Sequence, residues 1–259
     1  MAPRGNRRAT VAAAVASGAA ELRPDPAYPQ GWTLLVNGVP QSYVDLADPA
    51  HLEFDYLIRM ATVVRLCAPA RVPLAVLHLG GGGLALARLV DHLRPGSAQR
   101  VVERDGDLAA LVTRVLPPPA AVTIDVGDAR DRLERAAPDS CDLILADAFD
   151  GAWMPETMAT AGFAVAAARA LRPDGRLAMN VTDVPPMART RVQVATLRST
   201  FADVCLLAEP AVVRARKAGN AVLVAGADLG GLPAGAGAVR GAALNAFSMD
   251  ARARLDAPG

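Results

Sequence analysis

Three observations predict an α/β fold on a mostly parallel, Rossmann-like sheet. From Leu74 onward, short apolar runs alternate with helical stretches, the pattern of parallel strands joined by crossover helices. The first run ends in four glycines, Gly80 to Gly83, and passes directly into a helix. An acid, Glu103, closes the second run twenty residues past the last glycine. Strands are expected at Leu74–Leu79, Arg100–Glu103, Val122–Asp125, Cys141–Ala146 and Arg176–Asn180. Val204–Ala208 and Asn220–Ala225 add an antiparallel closing pair, which makes seven.

The remaining elements follow in chain order. Residues 1–20 turn from basic to alanine- and valine-rich without the leucine or phenylalanine of a secretory signal, and read as a flexible extension. Residues 21–48 read as a small β unit, because Trp32–Val36 and Pro40–Val44 flank Asn37-Gly38, a dipeptide suited to a tight hairpin turn. Residues 49–228 are expected to form the main, Rossmann-like domain. It opens with a helix from about Ala50 to Cys67, where Leu52, Tyr56, Met60 and Val63 recur at helical spacing. Further helices are expected near Leu84–Leu93, Gly106–Leu116, Ala129–Ala136, Glu156–Leu171 and Pro186–Thr200, and Pro173-Asp174-Gly175 forms a turn. The Gly/Ala-rich tail, 229–259, reads as partly helical or disordered, with a helix expected within Ala238–Leu255.

Composition narrows the class. A chain of 259 residues can bury one large core without metal or disulfide support. Its net charge is +1 and Lys217 is its only lysine, so nothing points to a nucleic-acid partner. No stretch has the roughly 20 strongly apolar residues of a membrane span. Cys67, Cys141 and Cys205 lie far apart without metal-ligand spacing; they read as small buried side chains, which fits a reducing cytoplasm and no metal site.

The chemistry gathers at the carboxyl ends of the strands. A sharp glycine turn lets the backbone approach a nucleoside closely, although such a turn also serves simply to pack helix on strand. Glu103 stands where a carboxylate accepts from both ribose hydroxyls, or where a strand-end charge meets water. Asp128, after the third strand, suits an adenine amino group and equally a helix N-cap. Asp147 and Asp150 form a candidate catalytic pair: mutual proximity would raise the pKa of one and make it a base for an incoming ammonium. His78 reads as a packed, neutral strand residue, and His51 and His92 carry no signal. Trp153 either covers an acceptor or anchors its loop, and Arg214 to Lys217 read as a solvated basic loop.

Taken together, these residues resemble the spermidine synthases, a family with the class I methyltransferase fold. Gly38 to Met60, with Gln41, Glu53-Phe54-Asp55-Tyr56 and Met60, is similar to that family's N-terminal approach to the catalytic domain. The glycine run, the strand-end acid, Gly127-Asp128 and the Asp147-x-x-Asp150 pair then follow in the family's order. The similarity spans about residues 30 to 225 and is closest to actinobacterial spermidine synthase-like proteins. It implies S-adenosylmethionine or its decarboxylated form as co-substrate, held by Gly80 to Gly83, Glu103 and Asp128. It also implies Asp147 as base, Asp150, Tyr56 and Gln41 around the acceptor or donor tail, and a homodimer.

The sequence departs from the family at three places. Where the family sets an aspartate that grips the aminopropyl ammonium, this chain has Gly83, which favours the intact donor. Leu57 replaces a histidine or glutamine, and a C-terminal aromatic acceptor motif is missing. The leading expectation is therefore methyl or other alkyl transfer to a small-molecule acceptor, an amine among the candidates. The alternatives are an aminopropyltransferase and a catalytically silent nucleoside-binding protein.

Overall fold

In a computed structural model, residues 8–232 and 237–256 are described. A four-stranded antiparallel sheet precedes the larger one, in the order β1 (Val11–Val15), β2 (Gly18–Pro24), β3 (Gly31–Val36) and β4 (Val39–Asp45). Asn37 and Gly38 join β3 to β4 at φ 52° and 75°, the left-handed pair of a tight hairpin turn. The first two strands correct the sequence reading, which left residues up to 20 as a flexible extension; residues 1–7 of that reading lie outside the described residues. Alanine has little β-propensity by itself, but Val15, Ala20 and Leu22 are buried, and the two strands pack on a helix of the larger domain.

The larger sheet begins after α1 (Asp55–Leu66), which starts five residues later than expected, with an extended Phe54 at its N-cap. Its next elements are β5 (Ala75–Leu79), α2 (Ala85–Leu93), β6 (Ala98–Glu103), α3 (Gly106–Val115), β7 (Val122–Val126), α4 (Ala129–Glu134) and β8 (Cys141–Ala146). The second half comprises α5 (Ala161–Ala170), β9 (Leu171–Asp183), α6 (Ala188–Arg198), β10 (Asp203–Ala208), α7 (Pro210–Val213), β11 (Gly219–Gly226), β12 (Ala238–Val239) and α8 (Gly241–Ser248). The expected helix Glu156–Leu171 is split: Glu156–Met158 is a 3₁₀ turn, and Thr160 caps α5 by accepting from Phe163 N.

The sheet order is β12-β10-β11-β9-β8-β5-β6-β7. The five strands β5 to β9 run parallel, while β11 is reversed and pairs antiparallel with both β9 and β10. The expected seven strands become eight through the two-residue β12. Pro173-Asp174-Gly175 lies within β9, where the pairing with β8 jumps from Cys141–Leu171 to Leu143–Arg176.

Two apolar layers cover the sheet, one centred on α1, α2 and α3, the other on α5 and α6. Arg94, fully buried, donates to the carbonyls of Val64, Arg65 and Ala68 and so ties the end of α2 to the end of α1. The described residues past α8, up to Asp256, are tied down as well. Asp256 accepts from Gly162 N and Thr160 Oγ1 at the start of α5, each at 2.8 Å. Cys67, Cys141 and Cys205 are free thiols whose pKa values burial pushes up. Among the described residues, no helix is long and apolar enough to cross a membrane, and no cluster of three His, Cys, Asp or Glu is placed to hold a metal ion.

Candidate active site

A cavity of about 740 Å³ opens at the carboxyl edge of the parallel strands, between the two sheets. Gly80, Gly81 and Gly82 form one wall. Gly80 takes φ +103° and has no room for a side chain, since a Cβ there would lie 2.3 Å from the backbone oxygen of Asp147. Leu84 turns the chain into α2 in the left-handed conformation, at φ 63°.

Gly83 is the first correction among the expected site residues. It is buried behind the turn and does not line the cavity. A Cβ at this position would point at β4, 2.9 Å from Ser42 Oγ and 3.3 Å from Val44 Cγ2. The missing acid is therefore a matter of packing as well as of charge.

Glu103 lines the cavity and at the same time fastens the glycine turn. Its Oε2 accepts from Gly81 N at 3.0 Å and Gly82 N at 3.3 Å, and its Oε1 accepts from Asp105 N at 3.0 Å. A carboxylate offers about four acceptor sites, so it retains capacity toward a ligand hydroxyl. Asp128 also lines the cavity and caps α4 through Asp131 N at 3.0 Å, which realises its structural role and leaves the ligand role compatible with it.

The sequence reading did not find Asp105. It caps α3 through Leu108 N and also receives Ala16 N, Ser17 N and Ser17 Oγ from the β1–β2 turn. Asn37 holds that same turn from the β3–β4 side, donating to Ser17 O and accepting from Ala19 N. Ala16, Ser17 and Asn37 thereby become a roof over the Glu103 side of the cavity. Burial alone would push the Asp105 carboxyl up, but the hydrogen bonds from Ser17, Leu108 and Ala16 prevail and hold it below its ordinary value.

Asp147 stands on the cavity floor at the end of β8, its backbone N–H bonded to Leu79 O at 2.8 Å. Burial raises its pKa to about 6, against the opposing pull of the Asn180 amide and the Tyr56 phenol. Tyr56, in the first turn of α1, is pushed well above its ordinary pKa by burial and then by Asp147. Gln41, on β4, lines the same cavity.

Asp150 is the second correction. It is exposed, pairs with Arg104 at 3.3 Å and does not line the cavity, so the two acids do not form a pair and desolvation alone lifts Asp147. Trp153 lies outside the cavity too, under the guanidinium of Arg189 at 4.3 Å. His78 is buried and its pKa is lowered to about 4, with Nε2 2.9 Å from Gln99 Oε1, as a packed neutral imidazole requires.

Three further side chains escaped the sequence reading. Asn180, at the end of β9, donates to Asp147 Oδ1 at 2.9 Å. Asn220, at the start of β11, donates to Asn180 Oδ1 at 3.1 Å and to Thr182 Oγ1 at 3.0 Å. The only available signal was their place at the carboxyl edge, and Asn220 reaches that edge because β11 runs antiparallel.

No protein-family model and no curated protein matches the chain. Among solved structures, it is similar to a probable spermidine synthase from Corynebacterium glutamicum, with 29% identity and a TM-score of 0.88. That alignment covers 97% of this chain and 98% of the other. The chain is a spermidine synthase-like transferase. More distant structures agree in fold. Spermidine synthase from Thermotoga maritima aligns at 15% identity and TM-score 0.61, over 85% of this chain and 72% of that one. Human methyltransferase-like protein 13, solved with SAH, aligns at 19% identity and TM-score 0.53, over 69% of this chain and 84% of that one. This spermidine synthase-like protein thus has the class I methyltransferase fold, extended by an N-terminal antiparallel sheet.

Proposed function

We propose that the protein transfers a methyl or related alkyl group from S-adenosylmethionine to a small-molecule nucleophile. One observation carries the reading: the backbone of Asp147, a carboxylate raised to about 6, abuts Gly80 of the turn that would hold the donor. The donor turn and the acceptor base thereby belong to one unit, which aligns the two reactants for displacement at a sulfonium carbon.

With an amine acceptor, Asp147 takes the proton of the incoming ammonium. The freed lone pair forms the N–C bond as the C–S bond breaks, the thioether leaves uncharged, and Asp147 releases its proton to water. Asn180 and Tyr56 hold the carboxylate in place. Glu103 and Asp128 suit the ribose and adenine of the donor. The glycine turn carries no carboxylate, so nothing on it repels the donor's own carboxylate or grips an aminopropyl ammonium.

Calorimetric titration with S-adenosylmethionine and with its decarboxylated form tests the donor. Tighter binding of the intact form is expected, and tighter binding of the decarboxylated form would overturn the reading. The likeness to the Corynebacterium glutamicum protein favours aminopropyl transfer as a second reading. Release of methylthioadenosine from the decarboxylated donor and a diamine would establish it.

A further inference from the structure

The β8, β9 and β11 side of the cavity has an unusual charge pattern. Among the described residues, Asp147 is the only carboxylate there; the other acids lining the cavity, Glu103, Asp105 and Asp128, lie at or just past the ends of β6 and β7 on the donor side. Beyond Asp147 runs a continuous chain of uncharged groups, Asn180, Asn220 and Thr182, linked by hydrogen bonds of 2.9 to 3.1 Å. Nearby Asp183 does not add charge to the cavity. It is buried outside the lining, and its oxygens are taken by Val184 N, Thr190 N and Thr190 Oγ1.

The hydrogen-bond inventory of that chain leaves specific groups open. Asn220 uses both amide hydrogens, on Asn180 and on Thr182, which leaves its Oδ1 to accept. Thr182 accepts from Asn220 and keeps its own hydroxyl hydrogen to donate. Past the base, then, the wall offers only neutral groups: the Asn220 Oδ1 acceptor, the Thr182 hydroxyl and the second amide hydrogen of Asn180. A second ammonium placed there would lose its water without gaining a counter-charge, a heavy cost in a partly dry cavity. A hydroxyl or amide would find a partner for each of its polar atoms.

We infer that the acceptor is a monoamine carrying an uncharged hydrogen-bonding group, such as a hydroxyl or amide, beyond its reacting nitrogen, held by Asn220 and Thr182. This rests on the reading of Asp147 as the acceptor-side base and is independent of which sulfonium donor is used. Asn220 and Thr182 are specificity residues here, and Asp147 remains the group that touches the reacting nitrogen.

Three probes of one chain length separate the possibilities: 4-aminobutan-1-ol, 1,4-diaminobutane and butylamine, with three- to six-carbon homologues to match reach. Their binding to the full chain is measured by calorimetry, with and without S-adenosylhomocysteine, so that failure of the donor reading leaves the comparison intact. The amino alcohol is expected to bind at least about tenfold tighter than the diamine and also tighter than butylamine. Equal or tighter binding of the diamine, or no binding of any probe, overturns the inference. Asn220→Asp is expected to reverse the order of amino alcohol and diamine, because it supplies the missing charge. Thr182→Ala, which leaves the charge pattern alone, is expected to level the amino alcohol with butylamine. An unchanged ranking in both folded variants would overturn the assignment of these two residues.

Discussion

Asn180 donates its amide hydrogen to Oδ1 of Asp147 at 2.9 Å, linking the end of β9 to the acid at the end of β8. This bond favours the charged carboxylate, while burial disfavours it more strongly, and the balance lies at about 6. A base must be deprotonated to act, so kcat/KM should rise with pH through about 6 and level off above it. Asn180→Leu removes the stabilising donor, and its acidic limb should move to higher pH. A pH–rate profile of both proteins checks this, and a limb that stays in place would show that Asn180 does not act on the base.

Asp147→Asn should lower kcat by roughly 10²- to 10⁴-fold while leaving donor affinity near that of the parent, as loss of a general base requires. Paired turnover and calorimetric measurements decide it. A matching loss of donor affinity would make Asp147 a binding residue instead.

The same substitution should make the fold more stable. A carboxyl whose folded pKa is raised above its ordinary value of 3.8 is charged at a cost in the native state at neutral pH. Asp147→Asn removes that cost, with a gain of about 1 to 3 kcal/mol at pH 7. The gain should shrink as the pH falls below about 6 and vanish below 3.8, where both folded and unfolded carboxyls are protonated. Denaturant melts at pH 7 and pH 4 measure the difference.

Asp105→Ala should cost about 2 to 4 kcal/mol, because it removes the α3 cap and leaves Ser17 and Ala16 without their partner. Its lowered pKa means that this stability is present above the ordinary carboxylate range and is lost as pH falls through the folded value. Ser17→Ala should cost about 1 kcal/mol and weaken nucleoside binding, since Ser17 belongs to the roof. Chemical denaturation and nucleoside titration read the two effects separately.

Much of this arrangement was legible in the chain. Asn37-Gly38 announced its turn because few residues other than glycine and asparagine accept left-handed backbone. The alternation after Leu74 announced the parallel sheet, since each buried strand is a short apolar run bounded by loops. The strands β1 and β2 were illegible because alanine carries little local preference for a strand; their pairing with each other, that of β2 with β3 and packing on α3 make them strands. Asp150 misled because spacing along a loop does not say which way a side chain turns. Asn180 and Asn220 lie forty residues apart and meet only through the antiparallel return of β11, a relationship no local pattern encodes.

The packing of Ser42 against Gly83 also bears on how such a site changes over generations. A side chain cannot be added at 83 until Ser42 moves, and Ser42 sits on a strand that belongs to the other sheet. The two positions are therefore epistatic: an acid gained at 83 is unfavourable until β4 has already yielded. An acidic turn therefore takes two coordinated changes, one at position 83 and one on β4.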